Sequence, residues 1–502
     1  MSRIIASILE HAAKQPAHPA LEGAAPPHLS YAALVDEIDY LAGHLKGRGA
    51  GVLGLMMDNT PAWAVADLAA LHGRMPLVPV PLFFSPSQVR HLLDNAGVDT
   101  LLSDQPQQLE AMLEAAGVAV TEREIVMVAG TPVQMVRLVY PAEVRIDPAI
   151  AKITYTSGTT GDPKGVCLTE AAMEQVATSI LSCAGANPDD RHLCLLPLAT
   201  LLENIGGIYV SLMAGATCVL PGLAGVGLRG ATELEPARLL GAMVEHRVTT
   251  CIMIPQMLLA LVSAVEAGGP KPGTMRYAAV GGAPVSPMLL ERAECLDLPV
   301  YEGYGLSEAA SVVAVNSPGA HNLGTVGRPL PHVKLRFADD GEILVAGSLF
   351  SGYLGRGEPE LAGSYWPTGD TGYLDDDGFL RITGRKKHIF ITAFGRNVAP
   401  EWVERELTVQ RLIAQAVVFG EARPYNVAVL VLRAPADQHA VQQAVDAANA
   451  RLPDYARVRR WLLAEAPFSL GNDMFTGTGR PRREAIWHAY GAEIERIYDE
   501  AD

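Results

Sequence analysis

The sequence predicts an α/β protein: a large N-terminal domain of parallel α/β subdomains with a small β-rich subdomain, followed by a small, mobile α+β C-terminal domain. Three observations predict it. The chain has 502 residues, more than one hydrophobic core holds, so several structural units of about 150 residues each are needed. From residue 31 to about 280, apolar segments alternate between helical and strand-like periodicity, the rhythm of strands joined by helical crossovers. Near residue 320 that rhythm gives way to short, closely spaced strands, and after a charged joint at 384–387 a separate α+β pattern begins.

The elements follow in order. Residues 31–46 place Leu34, Ile38, Leu41 and Leu45 on one helical face, and 51–57 form a short apolar strand. Helix 62–71, strand 76–80, helix 87–96 and strand 100–103 continue the alternation. Residues 153–155 and 166–168 are strand-like pieces around a loop, and Thr169 N-caps the next helix. The uncharged stretch 208–228 is just long enough to cross a bilayer. Pro221 and four glycines interrupt it, so it reads as a helix end, a strand at 217–220 and a glycine-rich loop. Strands at 251–254 and 277–280 resume the pattern, and 334–337 and 342–345 belong to the β-rich part, about 320–384. A turn at 375–378 and a strand at 379–383 lead to the joint. The C-terminal domain, 388–502, contains helices 401–408 and 438–452 and strands 414–419 and 426–432.

Composition excludes several function classes. The chain is 49% hydrophobic and 19% charged, with 48 Gly and 35 Pro, a turn-rich globular make-up. Lys and Arg total 39 against 55 Asp and Glu, a net charge of −16 that opposes phosphate backbones and anionic lipid heads. Nucleic acid is not the expected partner. Six cysteines without a CxxC pair and no visible signal peptide or transmembrane segment imply a reduced, cytoplasmic setting.

The strongest chemical signal is the run Thr156, Ser157, Gly158, Thr159, Thr160, Gly161, Asp162, Pro163, Lys164, Gly165. Glycines let backbone N–H groups turn inward, four hydroxyls donate to phosphoryl oxygens, and Lys164 adds charge. The spacing is not GxxxxGK[ST], so this is not a Walker A loop. Residues 225–230 satisfy GxGxxG, with Glu245 further on. The next helix starts only near Pro236, too far away to present its N-terminus to a pyrophosphate, and a flexible loop is the better reading.

The loop at 156–165 resembles the phosphate loop of the acyl-adenylate-forming enzymes, the superfamily of acyl- and aryl-CoA synthetases, adenylation domains and beetle luciferases. Further motifs follow in the same order. Gly281, Gly282, Ala283 and Pro284 are similar to the adenine-side turn, and 301–308, with Gly303, Tyr304, Gly305, Ser307 and Glu308, to the aromatic and metal motif. Residues 368–370 are similar to the ribose motif, and 384–387 to the hinge, followed by Gly395, Pro400 and Glu401 in the style of fatty acyl members.

The resemblance implies ATP and Mg²⁺ as cofactors, with Thr156 and Glu308 as metal ligands. It places Tyr304 against adenine, where glycine neighbours leave room, and Asp370 and Arg385 on the ribose. Lys164, Ser307, Glu308 and the residue at 480 act on the phosphates or carboxylate, Lys387 is the hinge, and Gly395 borders the thiol channel. Thr200, Glu203 and Tyr209 border the acyl pocket. Leu198, Leu201, Ile205, Tyr209 and Leu212 can line an apolar cavity, although their helical spacing suits a core equally.

The sequence departs from the family pattern in two places. Arg480 stands where a lysine normally bridges the carboxylate and α-phosphate, and no lysine follows Lys387. Arginine keeps the charge but is bulkier and bonds in a different geometry. The swap implies slow adenylation, a reshaped site, or a nucleotide-binding protein without turnover. Thr200 replaces the usual His or aromatic residue. The expected function is an AMP-forming ligase that activates a hydrophobic acid, fatty or aryl, and passes it to coenzyme A or an acyl carrier protein; the alternative is a pseudoenzyme. Net acidity disfavours an acidic carrier unless Arg405, Arg411 and Arg423 form a basic patch.

Overall fold

A computed structural model describes the chain except residues 1, 26–27, 140–143, 157–162, 230–232, 357–358, 477–478 and 500–502, and except the side chains of 229 and 233. Two large sheets dominate residues 1–330. The nine-stranded sheet has a parallel centre, running in spatial order through Val300–Tyr304, Tyr277–Val280, Thr250–Met253, Arg191–Leu193, Thr217–Leu220 and Pro19–Gly23. Its register aligns Ala279 with both Ile252 and Tyr301. The seven-stranded sheet has a parallel centre of Thr100–Ser103, Leu53–Leu55, Leu77–Pro79 and Ile150–Thr156.

These central strands read as continuous apolar runs because helices cover both faces. Helix Pro61–Gly73 is buried along nearly its whole length, with Trp63 fully enclosed. Tyr31–Gly47 is one-sided, with Leu34, Ile38, Leu41 and Leu45 buried as their spacing predicts. Thr169 caps helix Glu170–Ala184 by accepting from Ala172 N.

Part of the seven-stranded sheet escapes the sequence reading. The hairpin Val120–Val128 and Thr131–Leu138 packs antiparallel at its edge. Its outer strand exposes Thr121, Glu122, Arg123, Ile125 and Met127, so no apolar alternation marks it. The stretch 208–228 contains helix Val210–Ala214, strand Thr217–Leu220 and a short turn at Ala224–Val226. Among the described residues no helix is long and apolar enough to cross a membrane. In the GxGxxG stretch, Gly227 has φ +82° and a Cβ there would strike Glu235 O, so it serves a backbone reversal. The following helix begins at Pro236, and Gly230 lies outside the described residues.

The β-rich part is a four-stranded antiparallel sheet of Lys334–Phe337, Glu342–Ala346, Trp366–Leu374 and Leu380–Arg385. Residues 390–499 hold their own apolar clusters around a three-stranded sheet, Ile413–Phe419, Asn426–Leu432 and Val458–Leu463. Helices Pro400–Thr408, Gln438–Asn449 and Arg483–Asp499 pack against it. Val409 inserts into the core of the larger body, and Arg411 and Arg451 reach Glu266 and Glu291 at 3.6 and 3.4 Å. These contacts hold one docked arrangement of the two bodies.

Candidate active site

Ligands of open parallel sheets bind at the carboxyl ends of the strands, and the predicted residues gather there. Strand Tyr277–Val280 ends in Gly281 and Gly282, the latter at φ +83°. The neighbouring strand ends in Tyr304. The glycines beside Tyr304 have a different reason from the one its ring suggests. A Cβ at Gly305 would overlap the Ser311 carbonyl, and one at Gly303 would lie 3.2 Å from Ala314 O, so both permit close backbone packing.

The Tyr304 hydroxyl donates to Asp370 Oδ2 at 2.7 Å, and Arg385 Nε donates to Asp370 Oδ1 at 2.7 Å. Asp370 is buried, and its backbone N–H is held by Thr368 Oγ1 at 3.1 Å. Burial, then the Asp370 charge, pushes the Tyr304 hydroxyl far above its ordinary pKa, so it stays a donor. Burial opposes the Arg385 charge, but Asp370 prevails and holds that guanidinium protonated more firmly than usual.

A second cluster lies at the loop. Lys164 follows the unplaced turn: Ser157, Gly158, Thr159, Thr160 and Gly161 fall outside the described residues, whereas Thr156 and Lys164 pair across its base. Residues 351–354 run alongside strand Lys164–Thr169 through Cys167 N to Gly352 O and Leu354 N to Gly165 O. This brings Tyr353 beneath Lys164, whose Nζ sits 5.3 Å from the ring centroid. The Tyr353 hydroxyl donates to Glu308 Oε1 at 2.6 Å. Burial, then Glu308, raises the Tyr353 pKa, so the proton stays on the phenol. Glu308 Oε2 accepts no hydrogen bond among the described residues, and Ser307 begins the same short turn. Carboxylate and hydroxyl oxygens are the hard donors that Mg²⁺ prefers, so Glu308 and Thr156 fit the ion chemically. Tyr353 escapes the sequence reading because a lone Tyr after Gly352 carries no motif.

Arg480 faces this cleft from the C-terminal body. Thr476 N donates to Arg480 O at 2.8 Å and Arg480 N to Thr476 Oγ1 at 3.1 Å, closing a tight loop. Its Nη2 donates to Gly282 O at 3.0 Å. Crowding of the guanidinium, then the Arg385 charge, lowers its pKa, while Asp370, Glu308 and Glu401 oppose. The residue is nevertheless exposed at the rim, where solvent screens these fields, and arginine stays cationic throughout. Lys387 is exposed in the turn after strand Leu380–Arg385, and Gly395 has φ +69° beside Phe394, which is 75% exposed.

Of the residues expected at the acyl pocket, Tyr209 and Glu203 are core residues that do not line the apolar cavity described below. Tyr209 is fully buried, its hydroxyl donating to Asp67 Oδ2 at 2.7 Å while Lys152 Nζ donates to it at 2.9 Å. Lys152 also bonds Asp67 at 2.6 Å and Asn204, so these polar groups satisfy one another inside the core. Glu203 is likewise buried, accepting from Leu196 N and bonded to His192 Nε2, both at 2.9 Å. Leu198, Leu201, Ile205 and Leu212 belong to the main core. Thr200 donates to Pro197 O at 2.7 Å.

An apolar cavity of about 60 Å³ lies beside the helix that holds Tyr209. Leu202, Gly206 and Val210 line it from the helix, and Thr250, Ile252 and Ala279 from the sheet. At Gly206, the first of the adjacent pair Gly206 and Gly207, a Cβ would press to 3.0 Å from Ile252 Cδ1. The three arginines form no shared patch. Arg411 pairs with Glu266, Arg423 with Glu495, and Arg405 lies beside Glu406 at 3.5 Å.

Glu302, next to the cleft, is buried, and among the described residues Val285 N alone donates to its side chain, at 3.3 Å. Burial raises its pKa to about 7, against a partial counter-pull from Arg405. The native state therefore keeps a proton that the unfolded chain releases near pH 4.5, and stability drains away as pH rises from about 4.5 to 7. Glu302→Gln should melt like the parent at pH 4.5 but be more stable at pH 8, by up to ~3 kcal/mol. Denaturant titrations at both pH values check this.

Residues 8–366 match the model of a family described as AMP-binding enzyme, and 387–502 that of the AMP-binding enzyme C-terminal domain. A long-chain-fatty-acid–CoA ligase, FadD15, of Mycobacterium bovis is 29% identical over 520 aligned positions, covering 87% of this chain and 86% of its own. A 2-succinylbenzoate–CoA ligase of Bacillus pumilus is 31% identical over 285, covering 54% and 56%. The fold matches an anthranilate CoA ligase bound to anthranoyl-AMP with a TM-score of 0.79 at 19% identity, covering 97% of each chain. It also matches the o-succinylbenzoate CoA synthetase of Bacillus subtilis with ATP and magnesium, with a TM-score of 0.74 at 24% identity, covering 95% and 98%.

Proposed function

Because the chain belongs to the AMP-binding enzyme family, we propose that it is an AMP-forming acid–CoA ligase for a hydrophobic carboxylic acid, fatty or aryl. The observation that carries this reading is the convergence of the Asp370, Tyr304 and Arg385 triangle with Arg480, held over the same cleft by the Gly282 carbonyl. One body supplies the nucleoside site and the other a cation aimed at it.

In the first half-reaction a carboxylate oxygen attacks the α-phosphorus of ATP, the bond to the bridging oxygen breaks, and pyrophosphate leaves. This is chiefly positioning and charge neutralisation. Asp370 and Arg385 hold the ribose, Tyr304 flanks the adenine, Lys164 and the loop hydroxyls hold phosphate oxygens, and Arg480 offsets the charge that gathers between carboxylate and α-phosphate. Magnesium, held by Glu308 and Thr156, neutralises phosphate charge when bound. In the second half-reaction a thiol attacks the acyl carbon and AMP leaves. Coenzyme A is the proposed acceptor: the relatives are named for it, and the arginines that would dock an acidic carrier are paired within the protein.

The domain division proposed is 1–384 and 388–502 about a hinge at 385–387, with Gly395 carried towards the thiol channel by rotation of the smaller body. Lys387→Pro restricts φ there and at the preceding residue. Acyl-AMP formation should stay within about twofold of the parent while thioester formation falls at least tenfold; quench-flow separation of the two steps checks it. The function as a whole is tested by incubating the protein with Mg-ATP, coenzyme A and a panel of fatty and aryl acids. Pyrophosphate, AMP and acyl-CoA should appear in equal amounts.

A further inference from the structure

Away from the cleft, the small body meets the large one through side chains of unequal weight. Helix Pro400–Thr408 turns Val403 and Leu407 into its own body's core, but Val409, the residue just after it, packs into the core of the large body and is only 5% exposed. Arg411 and Arg451 reach Glu266, at the end of helix Pro255–Glu266, and Glu291, on helix Pro287–Cys295. Both pairs are loose. The Arg411 side chain is 89% exposed and stands 3.6 Å from a carboxylate that Arg292 already holds with two hydrogen bonds at 2.8 Å. Arg451 lies 3.4 Å from Glu291, with both side chains partly open to water, and is shared with Glu406 at 3.5 Å. Exposed pairs of this kind shift an equilibrium by at most about fivefold, whereas burying a valine side chain shifts one by about tenfold or more.

We infer that Val409 is the peg that docks the small body for acyl-AMP formation, and that this apolar contact, rather than the ion pairs around it, sets how much of the protein holds the docked arrangement. This rests on the ligase reading above. The first half-reaction needs Arg480 over the cleft, so its rate follows the docked fraction; the second needs the small body to leave, and Val409 then comes out into water. Val409 is a positioning residue, because it touches no reacting atom and acts only by placing Arg480. The nucleoside contacts of Asp370 and Tyr304 belong to the large body, and the small body closes its own apolar clusters without Val409. Truncation to alanine removes two carbons from the contact and weakens docking by roughly fifteenfold. Aspartate in the same place would carry an unpaired charge into an apolar socket, a far larger penalty.

The test measures single-turnover acyl-AMP formation at saturating ATP, thioester formation from pre-made acyl-AMP, and adenosine affinity in the parent and in variants at 409 and 291. Acyl-AMP formation should fall at least threefold in Val409→Ala and at least tenfold in Val409→Asp, and stay within about twofold of the parent in Val409→Ile, which keeps the apolar burial. Glu291→Gln, which removes an ion pair, should change it less than twofold. Thioester formation and adenosine affinity should not fall in any of them, whereas a variant that merely misfolds loses all three. A spin-label distance between Glu10→Cys and Gln443→Cys, with the incompletely buried Cys183 and Cys295 replaced by serine, reads the arrangement without turnover: the population at the docked distance should shrink in Val409→Asp. Equal loss of both half-reactions, or an unchanged distance distribution in Val409→Asp, overturns the inference while leaving the ligase reading intact. Absence of acyl-AMP from the parent with every acid overturns the ligase reading and with it the role in acyl-AMP formation, and the distance distributions then decide by themselves whether Val409 docks the two bodies.

Discussion

Asp370→Ala should weaken ATP binding by about 10²-fold. The ionised carboxylate has about four acceptor positions, and the protein uses two, one for the Tyr304 hydroxyl and one for Arg385 Nε, both at 2.7 Å. The rest match the vicinal ribose hydroxyls. Two hydrogen bonds to a charged group at ~1.5 kcal/mol each come to about 3 kcal/mol, which is the stated factor. Removing the carboxylate also frees Arg385 and Tyr304 from the geometry they hold. Asp370→Asn should fare little better, because its NH₂ would face either the Arg385 N–H or the sugar. Calorimetric titration with ATP and with adenosine decides it: both should weaken together, since the lost contacts are to the sugar. Unchanged adenosine binding would show that the ribose lies elsewhere.

Arg480→Ala should slow acyl-AMP formation by about 10²-fold or more, as for other donors aimed at developing charge. Thioester formation from pre-made acyl-AMP should not change, because the loop faces the nucleotide only in the docked arrangement. Arg480→Lys should be no faster than the parent. The guanidinium already reaches Gly282 O at 3.0 Å and keeps further N–H groups for the ligand, whereas a compact ammonium has to give up one role or the other. That outcome would mean that the site is built around arginine.

Much of this was legible before any coordinates. The parallel strands were readable because they are buried on both faces and carry unbroken apolar runs, as at 277–280. The hairpin at 120–138 was not, because an edge strand with Thr121, Glu122 and Arg123 facing water has no pattern to read. Tyr304, Asp370 and Arg385 were legible one by one as candidates because each sits in a turn-rich motif. That Asp370 bonds the other two was not, since 66 and 15 residues separate them. Which helix face lines the apolar cavity was not legible, for a rotational reason. Residues 201–212 form a helix with a wider turn at Asn204–Tyr209, and ordinary helical spacing through such a turn puts Tyr209 where Val210 belongs. Tyr353 matters only through Glu308, 45 residues away in sequence.

The central claim is that this chain makes acyl-AMP with arginine in place of the usual lysine. Exchange of labelled pyrophosphate into ATP, with Mg²⁺ and each of a panel of fatty and aryl acids but no thiol, tests that step alone. The parent should exchange label only when acid is present, Arg480→Lys should match it or be slower, and Arg480→Ala should lose about 10²-fold. If the parent binds ATP yet exchanges no label with any fatty or aryl acid, and Arg480→Lys does no better, the chain is a nucleotide-binding protein that does not adenylate.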